Sequence, residues 1–383
     1  MEYADNICKI KVVGVGGGGN NAINRMVAAG ITGAEFIAVN TDKQDLMMSN
    51  ADQVIQIGAQ LTKGLGAGAN SEIGRLAAEE SREELVKMLQ DTNLLFITAG
   101  LGGGTGNGAA PVIAKLAREM GILTIGVVTK PFKFEAPKRA ANAEQGIKEL
   151  RKYVDSLVVI PNQKLYTILK KDVSFVDAFR YADDVLRQAI QGVSELISVP
   201  GLINLDFADV STIMKDKGIA HMGIGKGRGA NKTIEAVRQA VTSQLLETSI
   251  EGATGILINI TGGRDLTLSE VYEAVDLVRD VADKDCNIIF GARINNDTTG
   301  ETEITVIATG FSNENDEEEL NLPQFKDNRA YEFKPYEKEE VQPAEENKNE
   351  EEPVEQVEDI SLTAKKPFIS DDDLPPFLRK LKK

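Results

Sequence analysis

The stretch AGLGGGTGNG, residues 99–108, holds six glycines and no charged side chain. It follows the apolar segment Leu94–Ala99, which is typical of a buried strand, and it precedes the helix-like segment Ala109–Glu119. A glycine-rich turn between a strand and a helix presents backbone N–H groups to phosphate oxygens. The chain contains no G-x-x-x-x-G-K-[ST] pattern, which excludes a P-loop site. We therefore expect phosphate binding by backbone amides, with the Thr105 hydroxyl as a further donor.

Two other glycine-rich turns have the same character. GVGGGGNN at 14–21 follows an apolar strand, and KGLGAGAN at 63–70 precedes another helix. The first turn, with Asp42 about twenty residues on, fits the G-x-G-x-x-G fingerprint of a dinucleotide site, which by itself allows NAD(P) or FAD. A second phosphate loop on the same sheet edge favours instead a ligand with several phosphates. In the third turn, Ala67, Gly68 and Ala69 are expected to reach a terminal phosphate.

The apolar pattern predicts two α/β domains joined by a long helix. In residues 7–173 short strands alternate with amphipathic helices, one of them expected over Ser71–Gln90, which indicates a doubly wound parallel sheet. Residues 174–198 form the connecting helix, and residues 199–311 form a second, smaller α/β domain. Within that domain we expect the basic, glycine-rich segment 225–232 to be a flexible loop.

The connecting helix carries a clear start signal and a clear apolar face. Ser174 and Asp177 fit a capping box. Apolar residues then recur at steps of three and four, beginning with Phe175 and Phe179, and predict a face that packs on the core. Such a helix can connect two domains as a rigid strut.

The net charge of −16 lies mostly near the C-terminus. Residues 312–366 hold 18 acidic and 7 basic side chains with little apolar periodicity, which predicts a disordered acidic linker. Residues 367–383 regain apolar side chains, a pattern that suits docking as a helix or an extended segment. No basic face for nucleic acid, signal peptide or membrane span is apparent, and the two widely spaced cysteines suit a reducing compartment. We expect a cytoplasmic protein.

Several motifs together resemble one family. GGGTGNGAAP is similar to the G-G-G-T-G-[ST]-G signature of the tubulin/FtsZ superfamily, and the motifs GVGGGGNNAINRM, VNTD, KGLGAGAN, NLDFADV and MGIG follow in the order of its FtsZ branch. The resemblance extends over residues 7 to about 311 and includes the C-terminal peptide. It implies the tubulin/FtsZ fold, with residues 7–173 binding GTP or GDP together with Mg²⁺, and residues 199–311 promoting GTP hydrolysis. Asn107 departs from the signature, which usually has Thr or Ser there.

The resemblance also assigns roles to single residues. Glu135 and Arg139 would serve the ribose and phosphates, and Asn162 would lie near the ribose or base. Asp183 would accept the two N–H donors of guanine, with Phe179 stacking on the ring. The full set expected to bind the nucleotide is Gly17, Gly18, Gly19, Asn20, Asn21, Ala67, Gly68, Ala69, Gly103, Gly104, Thr105, Gly106, Glu135, Arg139, Asn162, Phe179 and Asp183. Mg²⁺ would be held mainly by the phosphates and water, with no protein ligand.

The hydrolytic groups are expected outside the glycine loops. In NLDFADV, Asp206 and Asp209 are three residues apart at the start of a helix, a pattern that by itself usually indicates helix capping. The resemblance implies instead that this segment enters the nucleotide site of the next subunit, where the two carboxylates would polarise the attacking water and Asn204 would help to position phosphate or metal. A monomer should then bind GTP but hydrolyse it slowly.

The expected function is that of a self-assembling GTPase that forms head-to-tail filaments at the mid-cell division ring. Its other partners would be membrane-tethering and regulatory division proteins, bound through residues 367–383. Two alternatives from other classes remain: an NAD(P)-dependent Rossmann oxidoreductase, and a scaffold that binds nucleotide only to fold. The single histidine, His221, offers little to an oxidoreductase, and it excludes Ser–His–Asp chemistry and histidine-rich zinc sites.

Overall fold

The computed structural model describes residues 8–168, 173–198, 201–203, 205–243, 250–295 and 300–311. The strands in these ranges are β1 (Ile10–Val15), β2 (Glu35–Asn40), β3 (Gln53–Gln56), β4 (Leu94–Gly100), β5 (Leu123–Lys130), β6 (Ser156–Pro161), β7 (Gly218–Arg228), β8 (Gly255–Gly262), β9 (Asn287–Ile294) and β10 (Glu301–Thr309). The helices are α1 (Gly16–Ala28), α2 (Lys43–Met47), α3 (Ala59–Thr62), α4 (Ser71–Glu80), α5 (Arg82–Leu89), α6 (Thr105–Glu119), α7 (Pro137–Arg151), α8 (Asn162–Ile168), α9 (Phe175–Ser198), α10 (Phe207–Met214), α11 (Lys232–Val241) and α12 (Leu268–Val281).

The first six strands form a parallel sheet in the order β3-β2-β1-β4-β5-β6. One face packs on α1 and α9, through residues such as Ile23 and Leu186, and the other packs on α4–α7, through residues such as Ile113 and Ile147. Burial on both faces explains why these strands are apolar runs instead of alternating patterns. The doubly wound sheet is confirmed, and its strand order reverses between β1 and β4.

Helix α9 also follows the prediction. The Ser174 hydroxyl accepts a hydrogen bond from the Asp177 amide at 3.1 Å and donates to the Asp177 carboxylate at 2.6 Å, so the expected cap is present. Over 24 residues, the helix is about 36 Å long. Its core-facing residues from Ala182 to Leu196 are buried. Phe175 was expected on that face, but 66% of it is exposed, because it lies about two turns before the buried part of the helix begins.

The expected loop at 225–232 is wrong, because residues 225–228 belong to β7 and the rest form a short 3₁₀ turn and the first residue of α11. Gly223, Gly225 and Gly227 alternate along the strand and share one face, on which α11 lies directly. A Cβ atom at any of the three would come within 1.9 Å of a backbone carbonyl oxygen of α11 or of Lys232 at its start. The glycines at every second position are therefore a packing surface for a helix, with the basic side chains between them on the opposite face.

Strand β7 joins the two halves of the fold. It pairs in parallel with β6 over Ser156–Val158, and antiparallel with β10 over the rest of its length. The sheet therefore continues from the first domain into the second, in the order β6-β7-β10-β8-β9. We call the short β6–β7 pairing the seam.

The linker 312–366 and the peptide 367–383 lie outside the described residues.

Three predicted helices have different bounds. The segment Ser71–Gln90 is two helices, α4 and α5, with a break at Ser81, whose hydroxyl accepts a hydrogen bond from the Gly58 amide at 3.1 Å. Helices α1 and α6 begin four residues earlier than the sequence predicts, which is Asn20 for α1 and Ala109 for α6, so both start within their glycine-rich turns. Glycines of these two segments therefore lie in the first turns of α1 and α6, and their amides are at the helix N-termini.

Helix α6 should tolerate no side chain at Gly108. A Cβ atom there would lie 1.9 Å from the Ser71 carbonyl oxygen, where α4 crosses α6. We expect Gly108→Ala to lower the free energy of unfolding by more than about 2 kcal/mol, because the two helices must separate. Urea unfolding followed by circular dichroism measures the change.

Gly192→Ala in α9 is the matched control. The added Cβ would lie 3.3 Å from a methyl group of Thr305, which can move. Both substitutions replace a glycine inside a helix and gain roughly 1 kcal/mol of helix propensity. A similar effect of the two substitutions would contradict the close crossing of α4 and α6.

Candidate functional site

Two glycine-rich turns meet at the point where the strand order reverses. The turn after β1 touches the turn after β4: a Cβ atom on Gly18 would lie 3.1 Å from the Cα of Gly100, and one on Gly19 would lie 2.5 Å from the carbonyl oxygen of Thr98. Gly16 has a φ of +72°, and its Cβ would approach the Gly106 amide to 2.9 Å. In open parallel sheets, ligands bind beyond the carboxyl ends of the strands at this reversal. The topology and the glycines therefore indicate the same site.

Both helices that start here have open N-termini. Neither α1 nor α6 has a side-chain cap, and neither has an acidic residue in its first turn. The unpaired amides and the positive end of each helix dipole are therefore available to an anion. Helix α4 differs, because the Asn70 side chain caps it by accepting from the Glu72 amide at 3.0 Å. The expected phosphate-binding role of Gly17, Gly18, Gly104 and Gly106 fits this arrangement.

The third turn forms one wall of a neighbouring cleft of about 610 Å³. Gly68 and Ala69 are exposed, have φ angles near +57°, and line this cleft together with Gly102, Glu135 and Arg139. The volume is within the range of small-molecule sites. The structure thus brings together residues from three separate segments that the sequence assigned to one ligand.

Ala67 does not share the exposure of its neighbours. It is buried, and a Cβ atom on Gly104 would lie 2.8 Å from its methyl group. Its side chain therefore supports the β4–α6 turn, and Gly68 and Ala69 are the parts of this turn that a ligand can contact.

Asn20 and Thr105 are both buried but differ in what they can offer to a ligand. The Asn20 amide is satisfied when its nitrogen donates to the carbonyl of Gly14 at 2.9 Å and its oxygen accepts from the Asn40 side chain, so it holds the turn in shape. The Thr105 hydroxyl lies 2.7 Å from that of Thr41. A hydroxyl both donates and accepts, so Thr105 can accept from Thr41 and keep its proton for a phosphate. Asn21 is exposed in the second turn of α1.

Asn107 has a structural role that its position in the glycine loop did not reveal. Its side-chain oxygen accepts from the Gly102 amide at 3.0 Å, and its side-chain nitrogen donates to the Asn142 carbonyl at 2.6 Å. The side chain is buried against Gly146, where an added Cβ would lie 2.3 Å from the Asn107 oxygen. Asn107 therefore ties the β4–α6 turn to α7, and its amide does not face the phosphate site.

Glu135 and Arg139 lie at the start of α7. They form an ion pair at 3.2 Å, and the Glu135 carboxylate also accepts from the Phe132 amide at 2.9 Å. Between them, Ala136 has a φ of +86°, a region that costs a non-glycine residue energy. Glu135 is almost buried, whereas half of the Arg139 side chain is exposed. The strained backbone thus holds a fixed carboxylate beside a mobile guanidinium at the rim of the cleft.

Asn162 directly follows β6 and carries a buried oxygen without a partner. The residue is 5% exposed, and its Oδ1 has no hydrogen bond. Buried acceptors are nearly always satisfied, so an orphaned one at the carboxyl end of a parallel strand indicates a missing donor. A ribose hydroxyl or a base N–H would supply that donor.

Asp183 lies on α9 opposite α1. Its Oδ2 accepts from the Nε of Arg25 at 3.0 Å, which leaves Oδ1 for another donor. Burial raises the pKa of Asp183 above the ordinary value for aspartate, and the Arg25 guanidinium opposes that rise. The carboxylate is therefore partly desolvated and still able to accept hydrogen bonds from a base.

Phe179 belongs to a cluster of four phenylalanines. Its ring lies 5.3 Å from that of Phe132 and 5.1 Å from that of Phe175, and Phe134 stacks on Phe132 at 5.1 Å. Phe132 is buried, but Phe134 and Phe175 are 60% and 66% exposed. Phe179 lies one helical turn before Asp183, so the exposed rings that surround Phe179 are suited to contact a planar base.

Asp206 and Asp209 form the capping box of α10. The Asp206 carboxylate accepts from the Asp209 amide at 2.8 Å, and the Asp209 carboxylate accepts from the Asp206 amide at 3.3 Å. The capping interpretation is therefore correct for the isolated chain. Each carboxylate keeps one oxygen free, and neither side chain is buried. Asn204 lies outside the described residues.

The two aspartates lie at the opposite edge of the sheet from the glycine turns. The end of α10 contacts the start of β6, where the Ser156 hydroxyl donates to the Met214 carbonyl at 2.6 Å. Asn162 lies at the other end of β6, which at six residues is roughly 20 Å long. Helix α9 also separates the two regions: Asp183 lies near its start, and Ser198 at its end lies beside Gly33, just before β2. Within one chain, Asp206 and Asp209 cannot reach the turns that follow β1 and β4.

The sequence interpretation missed several contributors to the site. Arg25 and Thr41 act through the predicted residues Asp183 and Thr105, and Phe132 and Phe134 complete the aromatic cluster. Asn142 acts through Asn107, which had no predicted role. The alternation in PFKFE, residues 131–135, was an available signal for two aromatic rings on one side of a short turn. Arg25 and Asp183 are 158 residues apart in the sequence, and a contact over such a separation cannot be predicted from the spacing of residues.

Asp42 does not fit the dinucleotide interpretation. It is the N-cap of α2, where its carboxylate accepts from the Gln44 amide at 2.8 Å. In the dinucleotide fingerprint, an acidic residue at this distance would instead bind a ribose. The local geometry thus gives Asp42 a different role.

Among the described residues, no cluster of three or more His, Cys, Asp or Glu side chains could hold a metal ion. In the same part of the chain, no helix has the length and apolar character that a membrane span requires. The site consists mainly of amide donors and helix N-termini, which are suited to phosphate oxygens and not to a cation.

Comparison with known proteins points in one direction. The model of the tubulin/FtsZ family GTPase domain matches residues 9–170, and that of the FtsZ family C-terminal domain matches residues 218–312. The chain is 46% identical to an FtsZ from M. jannaschii solved as an empty dimer, covering 80% of this chain and 89% of that one, with a TM-score of 0.77. CetZ2 from Haloferax volcanii, a protofilament with GTPγS bound, is 21% identical with a TM-score of 0.69, over 82% of this chain and 96% of that one. CetZ1 from the same organism, a GDP-bound monomer, is 22% identical with a TM-score of 0.70, over 82% and 97%.

The packing of Asn107 against Gly146 gives a test of the loop geometry. We expect Asn107→Ala to destabilise the protein by about 1–3 kcal/mol, because it leaves the Gly102 amide and the Asn142 carbonyl without partners. Gly146→Ala alone should also destabilise it, because the new methyl group collides with the Asn107 side chain. The double variant should lose less unfolding free energy than the two single variants lose together, since the new methyl group occupies the space that the Asn107 side chain vacates. Urea unfolding of the four proteins completes the cycle, and additive losses would contradict the contact.

Proposed function

Because the chain belongs to the FtsZ family, we propose that it binds GTP where β1 and β4 diverge, assembles head to tail, and hydrolyses GTP between adjacent subunits. It is a GTPase of the tubulin/FtsZ type. The observation that carries the rest of the proposal is the separation of the open helix N-termini from Asp206 and Asp209. A chain whose phosphate site and carboxylates lie at opposite edges needs a second copy to bring them together.

The phosphates would lie over the N-termini of α1 and α6. The amides of Gly17–Gly19 and Gly103–Gly106 would donate to the phosphate oxygens, together with the Thr105 hydroxyl. Gly68 and Ala69 would close over the terminal phosphate, and Arg139 would balance its charge. Asn20 and Ala67 would support this arrangement from behind, because both are buried and engaged with the loops.

The nucleoside would lie between α9 and the start of α7. The free oxygens of Asp183 and Asn162 and the nearly buried Glu135 provide acceptors for base and ribose donors. Guanine presents two adjacent N–H donors to a carboxylate, whereas adenine does not. Phe179 and its exposed neighbours Phe134 and Phe175 would contact the ring faces. These contacts support GTP over ATP.

Hydrolysis would require the next subunit. When α10 of one copy approaches the phosphates of another, the free carboxylate oxygens of Asp206 and Asp209 would accept hydrogen bonds from the attacking water and orient it in line with the terminal phosphate. The Asn204 side chain would assist. Mg²⁺ would be held mainly by phosphate oxygens and water, since the described residues contain no cluster of three or more His, Cys, Asp or Glu side chains that could hold it. When bound, it would neutralise phosphate charge.

Head-to-tail contact of this kind is heterologous and does not close, so it produces filaments. The solved relatives include an FtsZ dimer and a CetZ2 protofilament, which supports the same assembly for this chain. Family membership further supports action at the division ring in the cytoplasm. The acidic linker 312–366 would separate the filament from division proteins that bind the peptide 367–383, including those that tether it to the membrane.

A split site predicts complementation between two inactive proteins. Asp209→Ala should bind GTP and assemble but lose at least about 100-fold in turnover, because the water is no longer oriented. Gly103→Asp should bind GTP poorly, because a carboxylate in open space at the phosphate turn repels phosphate. In a mixture, GTP held by the Asp209→Ala subunit meets the intact Asp209 of the other subunit, so phosphate release should reappear.

The matched control is a mixture of Asp209→Ala with a protein that carries both substitutions, which should stay inactive. For the unmodified protein, phosphate release per molecule should also rise steeply with protein concentration. Normal turnover by Asp209→Ala alone would refute the assignment, and failure of the first mixture to recover would show a self-contained site. No phosphate release by the unmodified protein would favour the scaffold alternative.

The raised pKa of Asp183 predicts a pH dependence of GTP affinity. Guanine needs the ionised carboxylate, so affinity should be full above this pKa and should fall as the pH drops through it. Because burial raises the pKa, the fall should begin at a higher pH than for an ordinary aspartate of pKa about 3.9. Fluorescence titration of unassembled protein with a labelled GTP measures this dependence.

ITP, which lacks the second N–H donor, and Asp183→Asn are the controls. ITP should bind roughly 10-fold more weakly than GTP, which corresponds to one hydrogen bond to a charged group. The variant should bind GTP weakly and lose the dependence on pH in this range. Equal affinities of the unmodified protein for GTP and ITP would contradict the assignment of Asp183 to the base.

A further inference from the structure

The end of helix α10 is held by two buried hydroxyl groups. The Ser156 hydroxyl donates to the Met214 carbonyl at 2.6 Å, and the Thr309 hydroxyl donates to the Ile213 carbonyl at 2.8 Å. Both hydroxyl-bearing residues are fully buried. The last carbonyls of a helix have no partner within the helix, and a buried one needs a donor from elsewhere. The hydroxyls therefore satisfy two consecutive orphan carbonyls at this end.

The two hydroxyls come from the two sides of the seam. Ser156 is the first residue of β6 in the GTP-binding domain, and Thr309 is the last residue of β10 in the second domain. Strand β7 lies between β6 and β10 in the sheet. Helix α10 is thus attached to both domains at one end, while Asp206 and Asp209 lie at its other end.

The other contacts of helix α10 are mostly apolar, and the chain just before the helix is held by backbone pairing of Ile203 with Ala292 of β9. The helix contains eight residues, so it is about 12 Å long, and only Val210, Ile213 and Met214 are buried. Apolar contacts permit small rotations and shifts, whereas hydrogen bonds to consecutive carbonyls define a direction. A tilt at the C-terminal end would displace the N-terminal carboxylates.

We propose that Ser156 and Thr309 are positioning residues for GTP hydrolysis, which orient α10 so that Asp206 and Asp209 enter the neighbouring subunit at the correct angle. This inference rests on the proposed split site. It assigns a role in turnover to two residues that lie far from the nucleotide of their own chain. Each would act through α10 and not by contact with GTP, although the Thr309 hydroxyl also lies 3.3 Å from the Gly255 carbonyl oxygen of β8.

The test separates turnover from binding and assembly. Ser156→Ala and Thr309→Val each remove one hydroxyl and keep the shape of the side chain nearly unchanged. We expect kcat for GTP, expressed per assembled subunit, to fall roughly 10-fold in each variant, because small displacements of a reacting group are costly. GTP affinity of the unassembled protein, KM, and the sedimented mass with a slowly hydrolysed GTP analogue should stay within about twofold.

A second readout does not depend on hydrolysis. Amide hydrogen exchange within Phe207–Met214 of the unassembled variants should become faster, because α10 loses an anchor. Thr309→Ser restores a hydroxyl and should recover both kcat and slow exchange. Thr124→Val is the matched control, since it removes an equally buried hydroxyl that donates to the Ile122 carbonyl, away from α10. It should leave both measurements unchanged.

The outcomes are distinct. Unchanged kcat in both Ser156→Ala and Thr309→Val, or an equal loss in Thr124→Val, would overturn the positioning role. A loss of kcat that Thr309→Ser does not recover would also overturn it. Asp209→Ala is measured in parallel: if that variant keeps normal turnover, the split site itself fails. If it loses turnover while the hydroxyl variants do not, only the positioning inference fails.

Discussion

The close contact of two backbone turns at the reversal of strand order determines the rest of the site. Gly18 and Gly19 approach Gly100 and Thr98 so closely that side chains at these glycines would force the turns apart. This contact brings the N-termini of α1 and α6 to one point, where their amides and dipoles combine. Positive potential is thus produced without a lysine. A site built from backbone binds phosphate well, but it supplies no group that can orient a water.

The missing group determines how the protein must work. The free carboxylates of Asp206 and Asp209 lie at the opposite edge of the sheet, beyond the far end of a helix of about 36 Å. In the proposed mechanism, this distance within the chain couples hydrolysis to assembly, because a nucleotide bound at one edge would be attacked from the other edge of the next copy. The same long helix carries Asp183 in its first half, so it would separate recognition of the base from the proposed hydrolytic end.

Buried polar side chains hold the flexible glycine-rich turns and helix α10 in fixed positions. Asn107 connects a flexible turn to α7, and Thr41 pairs with Thr105 beneath the phosphates. Ser156 and Thr309 hold α10 from the two domains. Each of these groups is buried and hydrogen-bonded, so replacing one leaves its partner unsatisfied. Rigid positions in this fold thus come from single hydrogen bonds between distant segments.

The sequence by itself determined the features that depend on local chemistry. Glycine runs between an apolar strand and a helix, apolar periodicity and the Ser174 cap led to the phosphate turns, the doubly wound sheet and α9. Only the tertiary structure decided that Asn107 supports the loop, that alternate glycines of β7 receive α11, and that Arg25 meets Asp183. The reason is physical: a turn or a cap is specified within a few residues, whereas a contact between distant segments depends on how the sheet and its helices pack. Thus AGLGGGTGNG predicted a phosphate site, and the packing of the described residues placed Asp206 and Asp209 at the opposite edge of the sheet from it.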